Sequence, residues 1–309
     1  MRKGRGAELV RFAVVTAFPE SDWHSARLIK ALAREGEVIV VDPARLASEI
    51  DGPVLRIDDG QGLFCDAFLL ARGVSPDGDA DAQLTVYRAL ETAGALVLNR
   101  VEALLEARDK FRTSVRLTAA GVATPRAAIV QTMAQAHAFM RACGQVVVKP
   151  LSGSLGEGVE RVTADRAGVL RVEARLAREG SLYLQSWVDN DGRDLRVFVV
   201  AGRVAGAVAR VAQPGEFRTN MARGAQAQQV TLTAAIERLA SRAARALGLD
   251  YTGVDIIDGP NGPQVIEVNG NPAFDMIFQA TGEDMARAVA EHVSREVQTR
   301  RSRCSRRRF

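Results

Sequence analysis

The stretch GVDIIDGPNGPQVIEVNGN, residues 253–271, constrains this chain more than any other. Asp255, Glu267 and Asn269 sit inside two short apolar runs, where an unpaired carboxylate is costly to desolvate. Between the runs, DGPNGP (258–263) is dense in turn residues, and Pro260 and Pro263 cannot donate ladder hydrogen bonds. The segment therefore predicts an antiparallel hairpin. With the turn centred on Asn261, Asp255 lies across from Glu267, and Asn269, two residues further on, shares the face of Glu267. Val254, Ile256, Ile266 and Val268 then face the core on the other side. Oxygen donors with no Cys or His among them suit a hard cation, and Mg2+ in particular keeps few protein ligands and completes its shell with phosphates. The competing reading is a hairpin with polar residues on a solvated face; the apolar flanks and the matched register count against it.

A second feature is VVVKPLSGSLGEGV, residues 146–159. It is no Walker loop, because Lys149 precedes the glycines and a strand, not a helix, follows. Gly153, Gly156 and Gly158 permit backbone conformations that aim successive N–H groups at phosphate oxygens. Lys149, near the end of an apolar strand, needs an anionic partner. Taken alone, the motif is equally an ordinary hairpin loop.

The chain has 309 residues, 47% apolar and 25% charged, with 27 Gly and 10 Pro. That composition predicts a compact soluble enzyme of two or three lobes, not a disordered or fibrous chain. No apolar run approaches the ~20 residues of a membrane helix. Phe12–Phe18 is too short for a signal peptide and lacks a cleavage site after it. The scattered Cys65, Cys143 and Cys304 predict reduced thiols in a cytoplasmic protein, and the isolated His24, His137 and His292 argue against imidazole metal capture. The formal charge of +4 resides in the end of the chain, where Gln298 to Phe309 hold six Arg and no acid. This tail reads as a solvated, disordered end, with contact to nucleic acid or ribosomes as the weaker alternative.

RFAVVT (11–16), EVIVVDP (37–43), DAFLLARG (66–73) and ALVLN (95–99) alternate with helical stretches around 25–35 and 81–94, which predicts a parallel α/β domain. A helix over 100–121 ends at Gly121, with Pro125 shortly after. Strand-like RAAIV, QVVVKP, VERVT, SLYLQSWV (181–188) and DLRVFVVAGRVAGAVARVA (194–212) follow, with helices near 132–143, 231–247 and 281–297. Strands joined by short turns predict antiparallel sheets in α+β lobes. The expected divisions are 1–99, 100–188, 189–297 and a tail over 298–309.

In chain order, ARDKFRT (107–113), VVVKP, GSLGEGV, YLQSWV, RDLRVFVV (193–200), GEFRTNMARG (215–224), TGVDII (252–257) and IEVNGNP (266–272) resemble the ATP-grasp superfamily. The likeness is to its ribosomal protein S6 glutamate ligase-like (α-L-glutamate ligase) branch and runs over about residues 66–292. The ordered set is far more specific than any one element. The resemblance implies a mixed α/β and α+β fold in which two antiparallel lobes sandwich ATP and the N-terminal domain completes an acceptor pocket. It implies Lys110 and Lys149 on the ATP phosphates under a loop containing Ser152, Gly153, Gly156 and Gly158. Gln185, Ser186, Trp187 and Val188 correspond to the hinge that hydrogen-bonds adenine, and Asp194 to a nucleotide-contacting carboxylate. Asp255, Glu267 and Asn269 correspond to the Mg2+ ligands, with Mn2+ as a substitute ion. Arg196, Arg210, Arg218 and Asn220 correspond to the polar set around the γ-phosphate and substrate, and Arg72 and Asn271 fall in the acceptor region.

The implied reaction moves the γ-phosphoryl of ATP to a carboxylate, and an amine then displaces phosphate to form an amide. In it Lys149 and Arg218 offset phosphate charge, Arg210 stabilises the tetrahedral species, and closure of loop 151–158 excludes water. The amino acid expected is glutamate, and the acceptor is a small acidic molecule of the pterin type or a protein C-terminus. No general base is evident. A two-residue turn near Gly202 puts Arg196 and Arg210 on opposite faces unless a bulge intervenes. Two departures stand out: Ser186 where the hinge commonly has Glu, and Gly270-Asn271-Pro272-Ala273-Phe274 where relatives often show Ser-Pro-Gly. The departure at Gly270 favours a small-molecule acceptor. A nucleotide-binding regulator or ribosome-associated protein without turnover, and a D-alanine-type dipeptide ligase, are the competing functions. A homo-oligomer is compatible with either.

Overall fold

The computed structural model describes residues 9–60, 65–151, 157–219 and 224–306. The N-terminal domain comprises β1 (Arg11–Thr16), α1 (Trp23–Leu32), β2 (Glu37–Val41), β3 (Ala47–Asp51), β4 (Val54–Asp58), β5 (Ala67–Arg72), α2 (Ala80–Thr92) and β6 (Leu96–Leu98). The order β2-β1-β5-β6 makes a parallel sheet. Both faces of its inner strands are covered, which is why Phe12–Val15 and Ala67–Ala71 are continuously apolar and buried. The hairpin β3–β4 lies outside that sheet and is largely exposed.

Residues 100–121 read as one helix in the sequence but form two, α3 (Val101–Arg108) and α4 (Lys110–Ala119). Asp109 divides them, because its side chain accepts from the amides of Phe111 and Arg112 and caps a new start. Lys110 is thereby the first residue of α4. Ala103, Ala107 and Leu117 pack with Val197, Val254 and Val268 of the C-terminal sheet, so these helices contribute to that lobe's core, while α4 also meets the central lobe through Ser114 Oγ, 3.1 Å from the Tyr183 hydroxyl.

The central lobe contains β7 (Ala127–Val130), α5 (Met133–Cys143), β8 (Gln145–Lys149), β9 (Glu160–Thr163), α6 (Arg166–Glu179) and β10 (Leu182–Ser186). Its antiparallel sheet, β7-β10-β8-β9, is backed by both helices around Phe139, Met140, Val148, Val172 and Leu184. A Thr132–Gln135 capping box starts α5, and Gly180 in the left-handed conformation ends α6. The C-terminal lobe contains β11 (Arg193–Val200), β12 (Arg203–Val211), β13 (Gln226–Gln229), α7 (Ala234–Leu247), β14 (Tyr251–Gly259) and β15 (Gly262–Asn269). It continues with α8 (Asp275–Thr281) and α9 (Met285–Arg306). The sheet order is β13-β12-β11-β14-β15, antiparallel throughout. One face packs on α7. The other packs Phe198, Val200 and Tyr251 against α8, α9 and residues of β1 and α1, so the N-terminal domain and the C-terminal lobe share a core.

Up to Arg306 the basic end is helical, where composition alone predicts a disordered tail. Helix α9 runs through residues 298–306, with Arg301 forked onto Asp66 at 2.9 and 2.7 Å and Arg300 donating to the Gly94 carbonyl at 3.2 Å. Arginine is a good helix former, and carboxylate and carbonyl acceptors on the N-terminal domain hold these two side chains in place. Residues 307–309 lie outside the described part.

Candidate active site

The hairpin β14–β15 pairs Asp255 with Glu267 and Gly253 with Asn269, the register expected at the chemical positions. Nearer the turn the register differs. Gly259 pairs with Gly262 and Ile256 with Val265, so a bulge follows Asp255. A two-residue turn is centred half a residue from Asn261, and the bulge absorbs the mismatch. As a result Val265, not Ile266, takes the fully buried position beside Val254, Ile256 and Val268. Ile266 instead lines a cavity with Ile257. Strands β11 and β12 carry the bulge that the two arginines require: their register shifts after Phe198, and Asp194 pairs with Arg210 while Arg196 pairs with Val208. Asp194, Arg196 and Arg210 therefore share one face with Asp255.

On that face Arg210 donates to both Asp194 oxygens, at 2.7 and 2.6 Å, and its Nη2 lies 3.1 Å from Asp255 Oδ2. Arg196 donates to Asp255 from Nε and from Nη2, the latter at 3.1 Å, and the Thr219 hydroxyl donates to Asp194 at 2.6 Å. All of these side chains are buried. Burial pushes the Asp255 carboxyl up, and the Arg196 and Arg210 charges more than reverse it, leaving it below the ordinary carboxylate range. Burial pushes Asp194 up as well, and there Arg210 reverses the effect only in part. Gly253 is needed for this packing, since a Cβ there would stand 2.9 Å from Pro272 Cβ and 3.1 Å from Arg196 Cδ.

These residues line a cavity of about 550 Å3 to which all three lobes contribute. Lys110 Nζ lies 3.2 Å from Glu267 Oε1. Lys149 Nζ donates to Gln185 Oε1 at 2.7 Å, and burial lowers its pKa although Glu267 pulls the other way. Gln185 Nε2 is buried with no partner among the described residues, a donor left for a bound ligand. Gln185, Ser186, Trp187 and Val188 all line the cavity. Within this hinge the Ser186 amide donates to the Arg126 carbonyl at 2.8 Å and that of Trp187 to the Gln145 carbonyl at 3.0 Å. Neither is available to a base, because the strand pairing extends through them. Arg218 is forked onto Glu216, which this bond holds down at about 2. Arg72 and Asn271 line the cavity beside His24 and Asp275. Gly158 is left-handed at φ +65°, whereas Ser152, Gly153, Gly156 and Asn220 lie outside the described residues.

Asp255, Glu267 and Asn269 all reach the cavity. Among the described residues no three His, Cys, Asp or Glu side chains gather for a metal, so the donor set is two carboxylates and an amide. In donor type that set suits a hard cation whose remaining positions are filled by phosphate oxygens, while Asp255 meets Arg196 and Arg210 and Glu267 meets Lys110 in the structure. His24 and Asp275 gave no sequence signal. Their meaning comes from topology, since the loop after β1 and the start of α8 converge only in the folded chain.

A RimK-like ATP-grasp domain model matches residues 107–293. The chain belongs to the RimK-like ATP-grasp family. As a member it is an enzyme, an ATP-dependent ligase. Tetrahydromethanopterin:alpha-L-glutamate ligase of Methanosarcina acetivorans is 30% identical, over 92% of this chain and 98% of its own length. A probable alpha-L-glutamate ligase of Teredinibacter turnerae is 30% identical over 95% and 98%. Among solved structures, the ATP-grasp ligase PsnB complexed with minimal precursor superposes with a TM-score of 0.73 at 22% identity, covering 92% of this chain and 98% of that one. The RimK domain protein of Sphaerobacter thermophilus does so at 0.67 and 22%, covering 92% and 99%. These two show the ATP-grasp fold. No helix among the described residues is long and apolar enough to cross a membrane.

Proposed function

We propose that this ATP-grasp protein activates an acceptor carboxylate as an acylphosphate and joins it to the amine of L-glutamate, the acceptor being an acidic small molecule of the pterin-cofactor type. One observation carries the reading: a single cavity holds Lys110 and Lys149 beside Asp255, Glu267 and Asn269, and extends to a second cationic group at Arg72. The first set suits a nucleotide's phosphates and the second an acidic substrate. Phosphoryl transfer demands mainly positioning and charge neutralisation. Lys110 and Lys149 neutralise phosphate oxygens, and Arg196 and Arg210, fixed by buried carboxylates, provide positive charge that need not reorganise. Asp255, Glu267 and Asn269 hold Mg2+, or Mn2+ in its place, whose chemistry when bound is Lewis-acid neutralisation of phosphate charge.

Two things support glutamate and a pterin-type acceptor: the activity named for the Methanosarcina relative, and the Gly270-Asn271-Pro272 departure at the acceptor end. We place the enzyme in the cytoplasm, where free Cys65 and Cys143 stay reduced. The test incubates the protein with Mg-ATP, L-glutamate and, in turn, tetrahydromethanopterin, tetrahydrofolate and a peptide ending in glutamate. Phosphate release with a glutamyl mass gain on a pterin is expected. A gain on the peptide alone refutes the small-molecule acceptor. ATP binding without turnover on any acceptor refutes the ligase and favours a nucleotide-binding regulator.

A further inference from the structure

At the end of the cavity formed by the N-terminal domain, His24 stands between two carboxylates from different parts of the fold. Its Nδ1 is 3.3 Å from Asp22 Oδ1, and its Nε2 is 3.3 Å from Asp275 Oδ1. Asp22 is the N-cap of α1, fixed through Oδ2 by the Ser25 amide at 2.8 Å and hydroxyl at 2.7 Å. Arg72, from the end of β5, brings Nε and Nη2 each to 3.2 Å from Asp22 Oδ1, and Nη2 also lies 3.2 Å from His24 Nδ1. The imidazole is held edge-on by Trp23 and Phe274, with ring centroids at 5.2 and 5.0 Å. Its side chain is 15% exposed, and Asp275 is 36% exposed. His24, Arg72 and Asp275 all line the cavity. The other charge on this side, Arg27, is stacked on Phe278 and paired with Asp284.

We propose that His24 accepts the proton of the incoming amino acid's ammonium group, which docks between His24 Nε2 and Asp275. This rests on the ligase reading above and gives it the missing base and the amine subsite. Without ligand, Nε2–H donates to Asp275 and Nδ1 accepts from Arg72; a docked ammonium selects the other tautomer, in which Nδ1–H donates to Asp22 and Nε2 turns its lone pair to the ammonium. Two acceptors side by side are completed by an ammonium N–H. Proton transfer turns the ammonium into an amine and the imidazole into an imidazolium, whose two N–H groups then meet Asp22 and Asp275. The hydrogen bond from Nε2–H, present before the ammonium docks and again in the imidazolium, holds Asp275 below the ordinary carboxylate range. The amine lone pair attacks the acyl carbon, the C–N bond forms, and the C–O bond to phosphate breaks. The second amine proton leaves with the phosphate as hydrogen phosphate, and the imidazolium returns its proton to water. Arg72 adjoins this point and suits the amino acid's carboxylate.

Two measurements test the assignment. The chain has two Trp, so Trp187→Phe leaves Trp23 as the reporter of L-glutamate binding at His24. Saturable quenching by L-glutamate, weakened about tenfold or more by Asp275→Asn, is expected; no change at Trp23, or unaltered binding in Asp275→Asn, overturns the subsite. The second measurement compares nucleophiles on the activated acceptor. Hydroxylamine is uncharged at neutral pH and attacks without a base, whereas glutamate's amine must first lose a proton. His24→Gln should therefore lose about a hundredfold with glutamate, far more than with hydroxylamine, and should recover with glutamate as pH rises to about 9 and amine replaces ammonium. Equal losses with both nucleophiles mean that His24 only packs, and overturn its role as base. A wild type that forms no hydroxamate with any acceptor refutes the ligase reading itself, while the Trp23 titration still decides the subsite.

Discussion

Asp194, Arg196, Arg210 and Asp255 set two charges of each sign where little water reaches. A buried pair adds little over an apolar pair of similar volume, but removing one partner leaves the other charge uncompensated. Arg210 is the member on which both carboxylates depend. Arg210→Met is therefore expected to cost about 3–5 kcal/mol in urea unfolding, and Arg196→Met less, because Asp255 keeps Arg210. A cost for Arg210→Met no larger than that for Arg196→Met would refute the ranking. The pH dependence follows from the directions of the shifts. Asp255 lies below its unfolded pKa of about 3.9, so its contribution is complete above that pH and is lost as pH falls through the folded value. Asp194, raised by burial, has the opposite sign: its contribution is complete below the unfolded pKa and is lost as pH rises through the folded value. Lys149 is a different case. Burial lowers its pKa, so its charge weakens the fold until an anion arrives. Lys149→Met should leave the melting temperature unchanged or higher and abolish the rise that Mg-ATP produces in the wild type. A lower melting temperature with the nucleotide response intact contradicts this.

Elements were legible in the sequence where the fold imposes a period. The parallel strands β1, β5 and β6 and the hairpin β14–β15 are apolar because they are largely buried, and turn residues bound them; β2, at the sheet edge, is apolar although only Val41 is buried. The carboxylate trio was legible for the same reason, since polar residues stand out against a buried strand. Helix α6 leaves little period in the sequence because its deeply buried stripe is only Gly168, Val172, Arg175 and Leu176 in a highly charged segment. In hairpin β3–β4 only β4 alternates, with Leu55 and Ile57 half-buried, whereas all of β3 is exposed and leaves no pattern. The bulges in β12 and β15 depend on neighbouring strands and leave no local mark. The basic end is illegible for a similar reason: composition alone does not show that Asp66 and the Gly94 carbonyl receive Arg301 and Arg300. A chain ended at Gln298 loses those bonds and that of Arg301 to the Leu9 carbonyl. Partly exposed pairs of this kind are worth about 1 kcal/mol together, so melting should fall by about 2–4 °C. An unchanged melting temperature, with loss of salt-sensitive RNA binding instead, contradicts the structural role and restores the tail as a nucleic-acid contact.

The three lobes are not equally joined. The core beneath β11 and β14 on the cavity side is continuous with β1, α1 and β5 through Phe274, Ile277, Val289 and Val293, which ties the N-terminal domain to the C-terminal lobe. The central lobe has a core of its own, built from β7–β10, α5 and α6, and among the described residues none in it is drawn from the other two lobes. It nonetheless contributes Lys149, Gln185 and Val188 to the cavity. A lobe that joins its neighbours through the site more than through a core is the one free to move, since interfaces poor in buried apolar contacts open at low cost. Nucleotide that binds Lys149 and Lys110 together bridges this lobe to α4, whose Leu117 is anchored in the C-terminal core. Hydrogen exchange is therefore expected to slow on addition of Mg-ATP in β8 and β10 and at the start of α4. The amides of β1 and β5, already locked into the shared core, should change little. Equal protection of the N-terminal sheet would show all three lobes moving as one body and would contradict a closing central lobe. The end of the cavity lined by His24, Arg72 and Asp275, which we propose for the incoming amino acid, then keeps its shape in both states, because its residues stand on the two lobes that share a core.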